Sequence, residues 1–360
     1  MQDKRNVGLD LARALAVTMV FCSHAFRPLH ALGSGVDLFF LLSGFLVGRI
    51  YLRSQQDAHM VSGTFTLWGF WKARWFRTIP PYLAALGLYA ISCRFTGDNG
   101  VTAPYLLFVQ NYSGMDGFLV SWSLCVEEHF YLALPLACAL VFRVWSRQAL
   151  LWILPLLALI PQGLRSTYML LGYYPERWFW QTHLHCEGLI LGVWLSYVFV
   201  DRPQLWKTLR LPSIFVAAIP VLVMLYQLRR GNHAAALGSS TYLLYAFGFA
   251  GWLRLFYELR WRPEVRFGRV CKQAVQGAAV SAYSIYLVHT LFMKDASFLL
   301  KRWFNLAAPA THVLFQVAII TLALSLSIVF YFLVERPAIH LRDRAFRRSR
   351  ELRESIPDGV

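Results

Sequence analysis

Long apolar stretches separated by short polar segments run along most of the chain. A membrane-spanning helix needs about 20 predominantly apolar residues, and on that scale the pattern predicts ten spans. Their predicted bounds are 9–28, 33–52, 78–95, 118–142, 149–163, 184–200, 211–228, 239–257, 277–293 and 312–335. The fifth is the shortest. The pattern therefore predicts an all-α integral membrane protein with about ten transmembrane helices.

Basic residues predict the orientation of these spans, because cytosolic loops carry an excess of Lys and Arg. If the N-terminus lies in the cytosol, most of the 35 Lys and Arg residues fall in predicted inner segments. Both termini are then cytosolic. Residues 1–340 form a membrane domain, and residues 341–360 form a charged cytoplasmic tail that lies near anionic lipid.

Composition narrows the class of protein further. The chain is 57% hydrophobic and only 15% charged, which exceeds what one soluble core requires. The net charge of +16 would suit nucleic acid, but the basic runs are short and form no continuous face. We therefore expect a lipid bilayer and no nucleic acid as partner. The six cysteines lack the spacing of a disulfide framework or a zinc site.

The first predicted span carries two ionisable residues, Arg13 and His24. Charged groups within spans are costly, so each one is a functional hypothesis. The two residues are eleven positions apart, which returns them to nearly the same helix face with about 16 Å of axial rise between them. The alternative is that Arg13 reaches phosphate headgroups and His24 caps the span.

Three acidic residues in later spans are further candidates. Asp37 is expected at a depth similar to His24, where a carboxylate could orient the imidazole. Glu127 and Glu128 lie about ten residues inside the fourth span, where carboxylates cost several kcal/mol unless they are paired, protonated or wet. A purely structural partner is the alternative for these glutamates. Glycines 33, 35, 44 and 48 would allow close helix packing.

Basic and aromatic residues lead into the third span in the segment WKARWFRTIPPYL. Arg74 and Arg77 share a helix face, as phosphate binding from the cytosol would require. The positive-inside rule alone also predicts a basic cluster there.

Polar residues recur at the predicted outer ends of the sixth and ninth spans. His183, His185 and Glu187 lie near the first of these ends, and His289 lies near the second. No HExxH pattern or cysteine pair accompanies the histidines, so we expect no metal.

Taken together, these segments resemble the membrane-bound acyltransferase family 3 over nearly the whole chain. The resemblance rests on landmarks in family order. They are GLDLARALAVTMVFCSH, GVDLFFLLSGFLVG, Arg74 with Arg77, SWSLCVEEHFYLALP, THLHCEGLILGVWLSY, YSIYLVHTLF and the closing Val-Glu-Arg-Pro at 334–337. The chain departs from the family at His129, where Gln is usual, and at His185, where the family commonly has another basic residue.

The resemblance implies a bacterial multi-pass protein of the cytoplasmic (inner) membrane that transfers an acyl group, usually from acetyl-CoA. The acceptor would be a hydroxyl of an envelope or exported glycan or of its lipid-linked precursor. Arg13, Arg74 and Arg77 would bind the acyl-CoA donor, and His24 would be the essential imidazole. Substrate-binding candidates from the family segments are Trp122, Ser123, His185, Glu187, Tyr283 and His289.

Our hypothesis is that His24, oriented by Asp37, Glu127 or Glu128, acts as general base on the acceptor hydroxyl. Direct transfer and a transient acyl-histidine both fit the sequence. The principal alternative is a transporter or flippase that moves a lipid-linked saccharide without bond chemistry. Inverted repeats with broken helices would favour that alternative, and we find no clear pair.

Overall fold

A computed structural model describes residues 6–60, 67–98, 100–113, 117–173, 180–230, 238–261, 266–304 and 311–344. Within these ranges the regular secondary structure is helical, with no β-strand. The α-helices are α1 (Val7–Ala25), α2 (Gly35–Met60), α3 (Leu67–Thr96), α4 (Ala103–Leu107), α5 (Gln110–Ser113), α6 (Ser121–Val144), α7 (Leu150–Leu170), α8 (Glu187–Asp201), α9 (Pro203–Thr208), α10 (Arg210–Val216), α11 (Ile219–Arg230), α12 (Thr241–Tyr257), α13 (Arg266–Val280), α14 (Ala282–Phe304) and α15 (Thr311–Phe330).

Six helical segments in the described ranges are long and apolar enough to cross a membrane. They are Val7–Ala25, Arg27–Gln56, Ser121–Val144, Arg147–Leu170, Arg210–Arg229 and Val313–Arg344. These segments coincide with predicted spans one, two, four, five, seven and ten. The chain is therefore a multi-pass membrane protein, whereas the count of ten spans and the cytosolic termini remain predictions.

The other predicted spans have helices with different bounds. Span three lies within the 30 residues of α3, and spans six and eight correspond to the shorter helices α8 and α12, of 15 and 17 residues. Span nine crosses a break at Ser281 between α13 and α14. Span five is longer than predicted, because α7 continues through Pro161 to Leu170. Of the predicted tail, residues 345–360 lie outside the described residues.

The chain divides into two compact units, which we describe separately. The first comprises Met1–Phe65 and Thr102–Tyr286, and the second comprises Thr66–Val101 and Leu287–Val360. Helix α14 begins in the first unit and continues in the second.

The closest helix pair in the first unit is α2 with α8. A Cβ added at Gly44 would overlap the Leu189 carbonyl, and one added at Gly192 would overlap the Leu41 carbonyl. Gly188 packs on the first turns of α2, and Gly48 packs further along against Ser196. The two helices therefore run parallel, and glycine makes their backbone contact possible. This confirms the predicted packing role of Gly44 and Gly48.

Helices α6 and α12 run parallel to this pair. Phe40 near the start of α2 meets Trp122 at the start of α6, and Tyr51 further along donates to the Pro135 carbonyl at 3.4 Å. Helix α12 begins at Thr241, and its last residue Tyr257 lies against Phe45 in the middle of α2 and Phe199 near the end of α8. Four helices, α2, α6, α8 and α12, thus start at the same end of the unit.

Helices α1 and α7 run the opposite way. The start of α1 packs on the end of α12, where a Cβ at Gly8 would overlap the Phe256 carbonyl. Its middle packs on the start of α2, because a Cβ at Gly35 would lie 2.6 Å from the Ala16 carbonyl oxygen. The start of α7 lies beside the middle of α8, where the Trp194 indole donates to the Leu151 carbonyl at 3.0 Å, and the end of α7 lies beside the start of α8, where Arg165 bonds Glu187.

Charged side chains lie at both ends of the first unit. We call the end where α2, α6, α8 and α12 begin the start end, and the end where they finish the far end. At the far end, Arg147 pairs with Asp201 at 2.9 Å and donates to the Leu52 carbonyl. Arg254 is buried there with its guanidinium over the Trp206 ring. Its Nε donates to the backbone carbonyl of Trp206 at 2.8 Å.

The second unit joins α3 to the later part of α14. Ser92 donates to Asp295 at 2.5 Å, and Asp98 accepts from both Lys294 and Thr96. After α15 the chain forms a π-helical turn, Tyr331–Glu335, in which Glu335 is buried. This turn also contacts α3.

The α2–α8 contact predicts a sharp sensitivity to a single methyl group. Replacing Gly44 or Gly192 with Ala should destabilise the protein by about 1–3 kcal/mol, because the added carbon meets backbone that cannot rotate away. The melting temperature of detergent-purified protein should fall accordingly.

Gly163→Ala in α7 is the matched control, since nothing lies within 4 Å of an added Cβ there. Its melting temperature should hold or rise, because Ala favours helix over Gly by about 1 kcal/mol. If Gly163→Ala lowered the melting temperature as much as Gly44→Ala or Gly192→Ala, the role of Gly44 and Gly192 in helix packing would be contradicted.

Candidate active site

The start end of the first unit contains a buried pair between α2 and the residue before α8. His185 Nε2 lies 2.8 Å from Asp37 Oδ1, and both side chains are almost fully buried. The start of α2 fixes Asp37 and the glycine contact brings α8 against it. A histidine and a carboxylate in hydrogen-bond contact are suited to acid–base or orienting work.

Aromatic rings enclose His185 on several sides. Trp122 stacks on the imidazole with centroids 5.1 Å apart, Tyr242 approaches to 4.2 Å, and Phe40 meets it edge-on at 5.5 Å. Trp122 also stacks on Trp180 at 6.4 Å. These contacts come from α2, α6 and α12, so the imidazole orientation depends on three helices.

A second buried pair lies beside the first. Arg165 Nη2 of α7 donates to Glu187 Oε1 of α8 at 2.6 Å, and each side chain is 1% exposed. We call Asp37, His185, Arg165 and Glu187 the charged cluster. Buried charges at this depth are tolerated only when they are paired and hydrogen-bonded.

Arg165 also fixes the backbone that precedes two helices. It donates to the Leu184 carbonyl before α8 and to the Ser239 carbonyl before α12, the latter at 3.0 Å. Its guanidinium carbon lies 5.0 Å from the Tyr242 ring centre, so Tyr242 contacts both Arg165 and His185. One side chain thus ties together α7, α8 and α12.

His24 occupies the last turn of α1, at the same end of the unit. Its Nδ1 lies 2.9 Å from the Val20 carbonyl oxygen. Because a carbonyl can only accept, Nδ1 carries the proton in this contact, and a neutral ring then has its lone pair on Nε2. That is the tautomer in which Nε2 could take a proton from a hydroxyl.

The structure gives Asp37 a different partner from the one expected. The equal-depth argument suggested that Asp37 orients His24, but its carboxylate accepts from His185. The charged side chains that act on Asp37 are His185, Glu187 and Arg165. Depth alone did not predict this, because Asp37 points towards α8 while Gly35, half a turn earlier, contacts α1.

Glu127 and Glu128 lie on different faces of α6. Glu128 is buried and Glu127 is partly exposed. Glu127 follows Ser123 by one helical turn, and Ser123 hydrogen-bonds the Tyr286 hydroxyl. That hydroxyl also donates to the Val120 carbonyl at 3.2 Å. Ser123 is thus held between α6 and the start of α14.

Arg13 lies on α1 midway along the helix. It is half-buried and makes an ion pair with Asp10 one turn earlier, at 3.4 Å. Because α1 is continuous from Val7 to Ala25, the predicted rise of about 16 Å between Arg13 and His24 holds.

The remaining predicted residues divide between the units. Arg74 and Arg77 lie one turn apart within α3 of the second unit, on a segment where Trp71 stacks on Trp75. Tyr283 lies in the first turn of α14, in the first unit, and the buried His289 lies further along α14, in the second.

Sequence reasoning missed Arg165 and Tyr242. Arg165 was assigned to an outer loop because the fifth span was predicted to end at residue 163. The signal that could have revealed it is the group of apolar residues at 168–171, which extends the fifth apolar stretch past Pro161 and Gly163. A proline in a membrane helix is tolerated where neighbouring groups satisfy the freed carbonyl.

No three His, Cys, Asp or Glu side chains in the described residues converge in a way that could hold a metal ion. The chemistry available is that of imidazoles, carboxylates and a guanidinium among aromatic rings. Together the fold and this site define a polytopic helical membrane protein with a buried acid–base cluster at one end of a helix bundle.

Comparison with known proteins identifies the family. The Acyltransferase domain family matches residues 6–332, and the chain belongs to that family. No solved structure shows a significant match.

Relatives with assigned names include O-acetyltransferases of Staphylococcus aureus. O-acetyltransferase OatA of strain NCTC 8325 is 26% identical over 214 residues, which are 53% of this chain and 34% of that protein. A second protein, from strain COL and named as an unproven O-acetyltransferase, is 25% identical over 245 residues, or 61% of this chain and 40% of its own length. The chain thus matches well under half the length of these relatives.

The geometry of the charged cluster predicts a large cost for removing its cation. Arg165→Met leaves the Glu187 carboxylate buried without its partner, so stability should fall by about 3–5 kcal/mol. The double variant Arg165→Met/Glu187→Leu should recover much of that loss. Melting temperature in detergent measures both effects.

Arg147→Met at the far end is the matched control. Its pair with Asp201 is partly exposed, at 26% and 15%, so the loss should be about 1 kcal/mol. A control that loses as much as Arg165→Met would contradict the special role of the buried pair.

Proposed function

We propose that the chain transfers an acyl group, most simply acetyl, from acyl-CoA to a hydroxyl of an envelope or exported glycan. The family match over residues 6–332 is the observation that carries this proposal. The names of the relatives support an O-linked acetyl product. The proposed location is a bacterial cytoplasmic membrane, with the donor on the cytosolic side.

His24 is the general base in this proposal. Its Nε2 takes the proton of the acceptor hydroxyl while the hydroxyl oxygen attacks the thioester carbonyl. The carbon–sulfur bond then breaks, and the CoA thiolate leaves and is reprotonated. The Nδ1 contact with the Val20 carbonyl supports the role, since it fixes the required tautomer. In the alternative route Nε2 attacks the thioester carbonyl and displaces the CoA thiolate; the acceptor hydroxyl then attacks the acyl-histidine, its proton passes to the thiolate, and the neutral imidazole is released.

Glu127 or Glu128 would assist His24. Since Asp37 is bonded to His185, these glutamates are the remaining sequence candidates for orienting His24. A carboxylate near the base would favour the imidazolium that forms when the proton is taken.

Arg13, Arg74 and Arg77 would bind the donor. CoA carries phosphate groups, and guanidinium groups bind phosphate through paired hydrogen bonds. Arg74 and Arg77 suit one anionic group because one helical turn separates them on α3.

Removal of the proposed base gives a direct prediction. His24→Ala should abolish acyl transfer while the protein remains in the membrane at wild-type level. The assay supplies radiolabelled acetyl-CoA to membranes and follows label into a glycan fraction. Wild-type product in this variant would end the proposal for His24.

The same assay distinguishes the transporter alternative. A flippase would move saccharide without incorporating label, so label in the glycan that depends on this protein supports bond chemistry. Mass spectrometry of glycans from cells with and without the gene would locate the acyl group.

The donor residues give a separate prediction. Arg74→Gln and Arg77→Gln should each raise the KM for acetyl-CoA by about tenfold, because a charge-assisted hydrogen bond contributes about 1.5–3 kcal/mol. The KM for the acceptor should not change.

Lys72→Gln on the same helix is the control, because its side chain is exposed and its ammonium lies over Phe76. An equal rise in KM for this variant would indicate a general effect of basic charge and not a donor site.

A further inference from the structure

With Asp37 and Glu187 both ionised, the charged cluster is balanced only when His185 carries a proton. Asp37 and Glu187 bring two negative charges, and Arg165 brings one positive charge. All four side chains are buried, and an uncompensated buried charge is strongly unfavourable. His185 is the cluster member that can supply the missing positive charge.

A second observation points the same way. Glu187 uses Oε1 to bond Arg165, while its buried Oε2 has no hydrogen-bond partner among the described residues. The guanidinium of Arg165 is divided among Glu187, Gln162 and the carbonyls of Leu184 and Ser239. Arg165 therefore does not bond both oxygens of the carboxylate beside it.

The surroundings of His185 favour a cation. Trp122 and Tyr242 place ring faces near the imidazole, at 5.1 and 4.2 Å between centroids, and aromatic faces attract positive charge. Asp37 is bonded to this imidazole, and the ion pair of Arg165 with Glu187 lies beside it.

We propose that His185 is an imidazolium and a positioning residue: with Asp37, Arg165 and Glu187 it forms one charge-balanced unit that fixes the start end around His24. This deepens the proposed function, on which its catalytic consequence rests. The unit holds the first turn of α2, and Ala16, Met19 and Val20 of α1 pack on that turn, with His24 one helical turn beyond Val20.

This proposal separates the roles of the two histidines. His24 would exchange a proton during the reaction, whereas His185 would keep its proton throughout. A His185 that served as the base would need to be neutral, which would leave the cluster with a net negative charge.

Four variants test the charge balance. His185→Gln leaves two carboxylates with one guanidinium, so it should lower the melting temperature and reduce kcat by about tenfold or more. Asp37→Asn removes one negative charge and should be milder. The double variant Asp37→Asn/His185→Gln is again balanced, so it should be more stable and more active than His185→Gln alone. His185→Arg supplies a permanent cation and should retain most activity.

Donor KM should stay constant in all four variants, since the proposed effect is on the position of His24 and not on acyl-CoA binding.

Several outcomes would overturn the proposal. If His185 were catalytic, the three variants that lack it, including His185→Arg, would be equally inactive. A simple loss of one hydrogen bond would make the double variant no better than His185→Gln. The double variant is decisive because it adds no volume, whereas an arginine could fail for lack of space.

The melting temperatures test the charge balance even if no acyl transfer is detected in wild type. Absence of acyl transfer in wild type would refute the proposed function. The order of the melting temperatures of the four variants would still test whether His185 balances the charge of the cluster. Asp201→Asn/Arg147→Gln at the far end is the matched control, and it should show no such rescue relative to its single variants.

Discussion

Backbone contact between α2 and α8 is the constraint on which the first unit depends. Gly44 and Gly192 let each helix approach the other's carbonyl groups without an intervening side chain. Because these helices run parallel, their first turns meet, and Asp37 comes within 2.8 Å of His185. Any larger residue at the contact would separate the helices along their whole length. The buried pair is therefore a product of close packing as much as of charge.

Electrostatics explains why the remaining helices join the same end. A carboxylate that leaves water must be matched locally, since the low dielectric of the interior strengthens both its attraction to partners and its penalty without them. Arg165 meets this need by bonding carbonyls before α8 and α12 as well as Glu187. These polar interactions thus add to apolar packing as a link between α7, α8 and α12.

Much of the architecture could be predicted from apolar length. Six predicted spans coincide with helices able to cross a bilayer. The errors have local causes: α7 continues past Pro161, and α8 and α12 are too short to be recognised by length as spans. Short helices are possible because nearly every face of α8 is covered by protein.

The site was only partly predictable for a different reason. The cost of charge in lipid identified Asp37, Glu128 and Glu187 one by one. It could not identify their partners, because Asp37 and His185 are 148 positions apart and their meeting depends on the α2–α8 crossing. Arg165 was missed since its importance arises only when Leu184, Ser239 and Glu187 converge on it. Helical period and composition contain no information on such convergence.

The shared starting point of α2, α6, α8 and α12 has an electrical consequence. Each helix begins with backbone N–H groups that are not bonded within the helix, equivalent to about half a positive charge. Asp37 and Glu187 both occupy first turns, where that partial charge stabilises a carboxylate. Four such termini at one end would also favour an oxygen that becomes negative there, so the macrodipoles of the bundle make this end suited to anions although its side chains include two acids.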